Sequence, residues 1–316
     1  MAIGFAQSEL ALHALRVLEH VVVLPRRLSL GFSAETSSDE SELQRLRGVW
    51  GAALHSLDKS AYDAVFHPPN SIPPKYILRP CGEPAAHSTS FEFLLIGSGA
   101  AFDEPALRGW DIASGMGLGK ARRPFTVRTR QIIDFAGRPA QRKSAWSVTK
   151  ASWPLPGEPE TTACRLRFRT PVALNHQRKL IAQPTLKDIV AKGCRRIESL
   201  LDADRIVEWQ QVKGDLIRAA EGVIAIPHFQ PPLGVARYSA SQRRDFPIGC
   251  IAGWLDLPAG PDATWPLLAA LRWLHVGKGT NIGLGQLVID SLDTSPQTGI
   301  LRHRASSDAA LVRNGS

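Results

Sequence analysis

Cysteine is scarce in this chain, and recognisable metal-binding spacings are missing from it. The four cysteines, Cys81, Cys164, Cys194 and Cys250, stand far apart with no Cys-x-x-Cys pair among them, which argues against a zinc ribbon and a redox dithiol. No His-x-x-x-His spacing and no His/Asp cluster is present, so no metal and no cofactor is expected, and any chemistry is left to side chains alone. Nothing in the chain approaches the roughly 18 uncharged apolar residues of a membrane helix. The opening residues carry Glu9, Arg16 and Glu19 without a basic leading region, unlike a signal peptide. The cytoplasm is therefore the expected location, with no membrane partner. Acid is also short: 29 Asp and Glu stand against 38 Lys and Arg, a net charge of +9 with a pI near 9.7. That balance points to an acidic partner, most often nucleic acid. Apolar surface, by contrast, is ample, since 316 residues at 44% hydrophobic suffice for two ordinary buried cores.

Glycine is concentrated in one place. Gly277, Gly279, Gly283 and Gly285 fall within nine residues, between a helical pattern ending at Val276 and a short strand at 287–289. Glycine reaches φ > 0 and lets a backbone approach a ligand closely, so this is a shaped loop, and Lys278 inside it makes an anion the natural ligand. The known phosphate cradles do not fit. Lys278 is followed by Gly279 rather than Ser or Thr, the residue five before Gly277 is Arg272, and Ile282 stands where a dinucleotide fingerprint needs its third glycine. A helix C-cap followed by a tight turn is the competing reading. His275, closing the helix, reads as an imidazolium that complements the helix dipole.

Taken in order, residues 8–20 space Ala11, Leu15 and Leu18 as a helix, and 21–30 read as a strand interrupted at Pro25-Arg26-Arg27. Leu43, Leu46, Val49, Trp50, Ala53, Leu54 and Leu57 mark an amphipathic helix whose polar side carries Arg45, Arg47 and His55. A proline-rich connector then leads to a strand beginning at Lys75. Strand 90–96, helix 104–114, a glycine loop at 115–119 and strand 125–133 follow. Between Lys120 and Lys150 nine Lys and Arg face a single acid, Asp134, which favours a nucleic-acid surface. Residues 154–160 read as a linker. Beyond it Cys164, Leu166 and Phe168 alternate with Arg165, Arg167 and Arg169, a strand with one buried and one cationic face. Helices at 186–201 and 209–220, a basic and aromatic patch (Arg237, Tyr238, Arg243, Arg244), a strand at 248–257 and a helix at 264–276 complete the pattern.

An internal repeat emerges, because strand 90–96 through strand 125–133 echoes strand 248–257 through 287–289 in order and spacing. Each reads as the second half of a β-α-β-β-α-β unit. The expected fold class is α+β, two tandem ferredoxin-like domains over residues 1–153 and 161–290. The first carries an arginine-rich insertion at about 120–150, and a polar tail at 291–316 follows the second.

Five segments in this order resemble a known family, the RAMP-superfamily endoribonucleases of CRISPR systems that process the repeat transcript, the Cas-six type. The resemblance spans residues 43–290. It rests on Leu-Arg-Gly-Val-Trp-Gly-Ala-Ala-Leu at 46–54, Phe-Glu-Phe-Leu-Leu-Ile-Gly at 91–97 with Gly117-Leu118-Gly119, and Leu-Arg-Phe-Arg-Thr-Pro at 166–171. Arg237-Tyr238-Ser239 with Gln242 and the run from Trp273 through Gly285 complete it. The resemblance implies an RNA hairpin held across a basic groove and cut once at its base, by attack of a 2′-hydroxyl on the adjacent phosphorus without a metal. Such a reaction needs a base, an acid and a cation. Relatives draw these from the first helix and the segment after it, which here offers His55, Tyr62, His67 and Lys75. His67 is the expected acid or base and Lys75 the phosphate stabiliser, with His55 the alternative; arginine-based catalysis by Arg26 or Arg27 is a further option. Arg122, Arg123, Arg128, Arg130, Arg142, Lys143, Arg243 and Lys278, with Gly277, Gly279, Gly283 and Gly285, are the expected RNA contacts.

Two departures from the family pattern, the missing cysteine cluster of some relatives and the long basic insertion, suggest a specialised branch such as the enzyme of a type IV CRISPR system. The implied partners are CRISPR repeat RNA, mature crRNA and other CRISPR effector subunits. The rival expectation is a non-catalytic RAMP subunit that binds crRNA and scaffolds an effector complex.

Overall fold

The computed structural model describes residues 8–32, 40–68, 73–81, 87–119, 121–141, 145–239 and 244–292. Helix α1 (Glu9–Leu18) opens it, capped by the Ser8 hydroxyl, which accepts a hydrogen bond from the Ala11 N–H at 3.2 Å. The first unit then comprises β1 (Val22–Phe32), α2 (Glu40–Leu57), α3 (Lys59–Phe66), β2 (Tyr76–Pro80), β3 (Ser88–Ile96), α4 (Asp103–Met116), β4 (Phe125–Ile132) and a short β5 (Trp146–Ser147). The second comprises β6 (Cys164–Phe168), a small hairpin of β7 (Asn175–His176) and β8 (Lys179–Leu180), α5 (Leu186–Glu198) and α6 (Ala203–Gly222). It continues with β9 (Ile226–Phe229), β10 (Leu233–Ser239), β11 (Arg244–Cys250), β12 (Gly253–Leu257), α7 (Trp265–Leu274) and β13 (Leu287–Ser291).

The sheets run β2-β3-β1-β4 and β13-β6-β12-β9, antiparallel throughout. Both place the first strand of the unit between its third and fourth, with helices in the two crossovers, which is the ferredoxin-like order. Among the described residues no helix is long and apolar enough to cross a membrane.

Two expectations about the strands need correction. Pro25 does not interrupt β1, because it lies between the β5 partners Val22 and Val23 and the start of β4 pairing at Arg26. The missing N–H is not needed there, and its carbonyl accepts from the Ile133 N–H at 3.1 Å. The stretch 248–257 is two strands, not one. The chain turns at Gly253, where a Cβ would strike the β9 backbone at His228 and Phe229, so β11 pairs in a hairpin with β10 while β12 enters the main sheet.

One face of the first sheet is buried under α2 and α4, where Trp50 and Trp110 stack at 5.5 Å beside Phe91 and Phe93. Its other face contributes Val23, Ile77, Leu94 and Ile96 to the core of the second unit, alongside Ile197, Leu271 and Leu274. α1 joins that same core and packs on α6 and α7. Polar contacts fix this junction. Helix C-termini present unpaired carbonyls and the negative pole of the helix dipole, and here cations reach them. Lys75 Nζ donates to the Ser199 carbonyl at the end of α5 at 2.9 Å, and Arg79 Nη1 donates to the Arg272 carbonyl in the last turn of α7 at 3.0 Å. Arg196 Nε donates to the Leu274 carbonyl at 3.3 Å. A side chain just before β2 and another within it therefore cap two helices of the other domain.

Candidate active site and basic surface

Helix α3 begins at Asp58, whose carboxylate accepts from the Ala61 N–H at 2.9 Å, and ends at His67. The short turn between α2 and α3 folds the second helix back so that His55, Tyr62 and His67 meet on the surface. The Tyr62 hydroxyl and His67 Nε2 are 3.0 Å apart, and the His55 ring meets Tyr62 edge-on with centroids 4.9 Å apart. Tyr62 in turn stacks on Phe66 at 4.9 Å and 19°. His55 and His67 are exposed while Phe66 is buried, so the imidazoles stand on a rigid aromatic floor. Asp63 lies beside them; its hydrogen bond from Lys59 at 2.5 Å, and more weakly the two histidines, hold its carboxyl below the usual carboxylate range. The cluster holds two imidazoles and a phenol, each able to give or take a proton. Tyr62 takes a larger part in it than the sequence suggested, because its five-residue spacing from His67 acquires meaning only where α3 ends and the chain leaves the helix.

Lys75 is elsewhere. It is 7% exposed, and burial, then the nearby Arg196, push its pKa down. With Nζ on the Ser199 carbonyl, the ammonium is committed to the domain junction and does not join the histidines. Arg26 forms a two-pronged ion pair with Asp103, and Arg27 donates to Glu92 at 3.0 Å, opposite Arg79 on the same carboxylate. Those arginines are held by acids within the first unit. Burial also pushes the thiols of Cys164 and Cys194 up to about 12, which leaves neither a ready nucleophile. Among the described residues, no three His, Cys, Asp or Glu side chains come together as a metal site would require.

The glycine-rich loop is packed between domains. Gly277, Gly279, Gly283 and Gly285 all have positive φ, from 72° to 89°. A Cβ on Gly277 would lie 2.6 Å from the Ala173 carbonyl oxygen, one on Gly283 2.8 Å from the Leu78 carbonyl oxygen across the domain boundary, and one on Gly285 on the Val276 carbonyl. The missing side chains thus make room for protein. Thr170 secures the loop, its hydroxyl donating to the Gly283 carbonyl at 2.7 Å and accepting from the Gln286 N–H at 2.9 Å. Asn281 Nδ2 donates to the Tyr76 hydroxyl at 3.3 Å. Lys278 is the exposed residue of this run.

His275 is fully buried, and desolvation first, then Arg79, push its pKa well below the ordinary value. The expectation of an imidazolium on the helix dipole is therefore corrected. Arg79 and Arg196 already serve the end of α7, and neutral His275 uses Nδ1–H to hold the Leu284 carbonyl at 3.0 Å.

The basic residues divide by position. Arg122 is exposed in a turn at φ 46°, and Arg123 lies over the Phe32 ring at 4.8 Å. Arg128 is exposed where β1 and β4 shift register, its guanidinium lying over Gly31. Arg130 is ion-paired with Asp111 on α4. In the second unit two of the three outward arginines are compensated, Arg165 binding Asp256 through two bonds of 2.7 and 3.0 Å and Arg167 binding Asp290 at 2.8 Å, while Arg169 is exposed. Most of the charge that the alternation places on that face is therefore taken up within the sheet. Near the start of α2, however, Gly119 approaches Arg45, while β10 packs against the same helix and the loop carrying Lys278 docks on neighbouring β2. Arg142, Lys143 and Arg243 lie outside the described residues.

Comparison with known proteins agrees with this architecture. Residues 166–287, from β6 into β13, match the family model of the CRISPR-associated endoribonuclease Cas6. No protein of curated function matches the chain in sequence. Among solved structures, a Cas6 product complex aligns with a TM-score of 0.56 at 14% identity, covering 84% of this chain and 99% of that one. Thermus thermophilus Cas6 aligns with a TM-score of 0.52 at 13% identity, covering 85% and 98%. Residues 166–287 are thus similar in sequence to the Cas6 family model, and the chain shares its fold with those solved structures over 84–85% of its length.

Proposed function

We propose that this chain binds CRISPR precursor RNA at its repeat, cuts it once without a metal ion and stays on the product. The observation that carries the reading is the exposed His55–Tyr62–His67 cluster, in a chain whose second domain matches the Cas6 model. Attack of a ribose 2′-oxygen on the adjacent phosphorus forms the O2′–P bond and breaks the bond to the 5′-oxygen, leaving a 2′,3′-cyclic phosphate and a 5′-hydroxyl. One proton must leave the 2′-hydroxyl and one must reach the departing 5′-oxygen. His67 and His55, on two sides of Tyr62, supply the base and the acid, and the phenol, 3.0 Å from His67 Nε2, orients His67 and relays its proton. Lys75 contributes indirectly, by holding β2 and the preceding turn against α5. Arg45, Arg122, Arg123, Arg128 and Lys278 contact phosphates, fixing the register of the RNA while carrying little sequence information. The type IV reading rests on the two departures from the family pattern, the missing cysteine cluster and the basic insertion.

The test is incubation of the purified protein in EDTA with the CRISPR repeat RNA from its own locus, beside copies carrying a 2′-deoxy nucleotide at each candidate cut. A single cut abolished by one deoxy substitution, with a cyclic phosphate end, is the expected result. Tight binding without any cut favours the scaffold subunit instead and refutes the nuclease.

A further inference from the structure

Among the described residues, the cation beside the proton-transfer groups is Lys59, which is ion-paired with Asp63, while Lys75 is committed to the domain junction. One arginine lies on the same surface. Arg47, Gly51 and His55 follow one another at intervals of four on α2 and so share a face of the helix. Gly51 has no Cβ because the Phe66 ring occupies that place, at 2.9 Å from where a Cβ would be. The Arg47 guanidinium lies over the same ring, 5.7 Å from its centroid. Contacts therefore run from Arg47 to Phe66, from Phe66 to Tyr62, and from Tyr62 to both His55 and His67.

Arg47 also differs from its neighbours in how its charge is used. Arg26, Arg27, Arg79 and Arg130 each face a carboxylate. Arg47 donates Nε to the Tyr76 hydroxyl at 2.6 Å. Among the described residues its Nη1 and Nη2 take no acid or carbonyl partner, and neither is among the buried unpartnered atoms. The guanidinium of this half-buried residue is held at one nitrogen and along one plane, and the fork that suits a phosphate has no acid or carbonyl partner among the described residues. Tyr76 also takes the Asn281 amide of the glycine-rich loop, so both domains set the aim of this arginine.

We propose that Arg47 grips a phosphate of the bound RNA next to the one that is cut, fixing the strand in line with His55 and His67. Eight helical residues separate Arg47 from His55, about 12 Å along the axis. The Phe66 and Tyr62 rings stand in the contact chain between the guanidinium and the His55 imidazole, an arrangement that suits a neighbouring phosphate on the same strand. This inference rests on the nuclease reading for its kinetic part and stands apart from it for its binding part.

The experiment compares wild type, R47A and R47K. It measures equilibrium binding of the repeat RNA as a function of salt, the single-turnover cleavage rate at saturating protein, and thermal unfolding as a control of fold. R47A should lower the log-log salt slope by about 0.7 to 0.9, the contribution of one phosphate, and slow cleavage at least about tenfold through loss of alignment. R47K should keep the slope but lose rate, because an ammonium carries the charge without the planar fork. An R47A protein that folds and keeps both slope and rate overturns the inference; if R47A fails to fold, R47K cutting at the wild-type rate overturns it. If wild type binds without cutting, the nuclease reading fails, and the slope of R47A alone decides whether Arg47 holds a phosphate.

Discussion

The glycine-rich loop and the histidine cluster make opposite impressions in sequence and in space. The loop is the most conspicuous stretch of the chain, yet its glycines are filled against Ala173, Leu78 and Val276, and its histidine is fully buried. The cluster of His55, Tyr62 and His67 is scattered over thirteen residues without a motif, yet its imidazoles are exposed and within contact of one shared ring. Clustered glycine reports where backbone must pass close to backbone, whereas proton chemistry needs groups that remain accessible. The loop is conspicuous because it locks two domains together, and the reacting groups stand on the surface whose geometry that lock maintains.

The sharpest way to break this contrast is to add one carbon to the loop. Gly283→Ala places a Cβ 2.8 Å from the Leu78 carbonyl oxygen of the other domain at φ 87°, and it should cost more than about 2 kcal/mol in urea unfolding. A protein of unchanged stability would show that the loop is not a lock.

A smaller effect is expected from acid. His275 is neutral in the folded state with its pKa well below 6.5, whereas the unfolded chain takes up its proton at the ordinary value. The stability this provides is complete above pH 6.5 and is lost as pH falls toward the lowered folded value, at up to about 1.4 kcal/mol per pH unit. His275→Asn, whose side-chain amide does not titrate, should flatten the pH dependence of unfolding between pH 6.5 and 5. An unchanged slope would mean that other groups cause the acid sensitivity.

The smallest effect belongs to Gly48 on α2, where a Cβ would meet nothing within 4 Å. Gly48→Ala should leave stability unchanged or raise it by up to about 1 kcal/mol, and a marked loss in thermal unfolding would show that the glycines of the chain are not divided as described.

Much of the fold was legible in the residues because alternation and helical spacing survive wherever one side of an element is buried. Cys164, Leu166 and Phe168 pointed inward as their alternation implies, and the repeated order of elements led directly to two ferredoxin-like units. What could not be read there depends on partners distant in the chain. Pro25 sits within β1 because β4 and β5 leave a gap at that point, and the bend at Gly253 follows from the approach of β9. The same holds for the site. His55 and His67 were candidates from their place after the first long helix, but Lys75 looked equally placed until Ser199 claimed it. Arg165 and Arg167 looked free until Asp256 and Asp290, on other strands, compensated them. Charge counted along a chain does not show which charges are already spent.

The measurement that tests the central claim most directly is single-turnover cleavage of the repeat RNA by the H55A/H67A double variant beside wild type, with affinity and thermal stability recorded for both. Both histidines are exposed, so binding and stability should be nearly unchanged, while cleavage falls by about 10² to 10⁴ or more. A double variant that cuts at the wild-type rate would place the chemistry elsewhere and leave the histidines as surface residues.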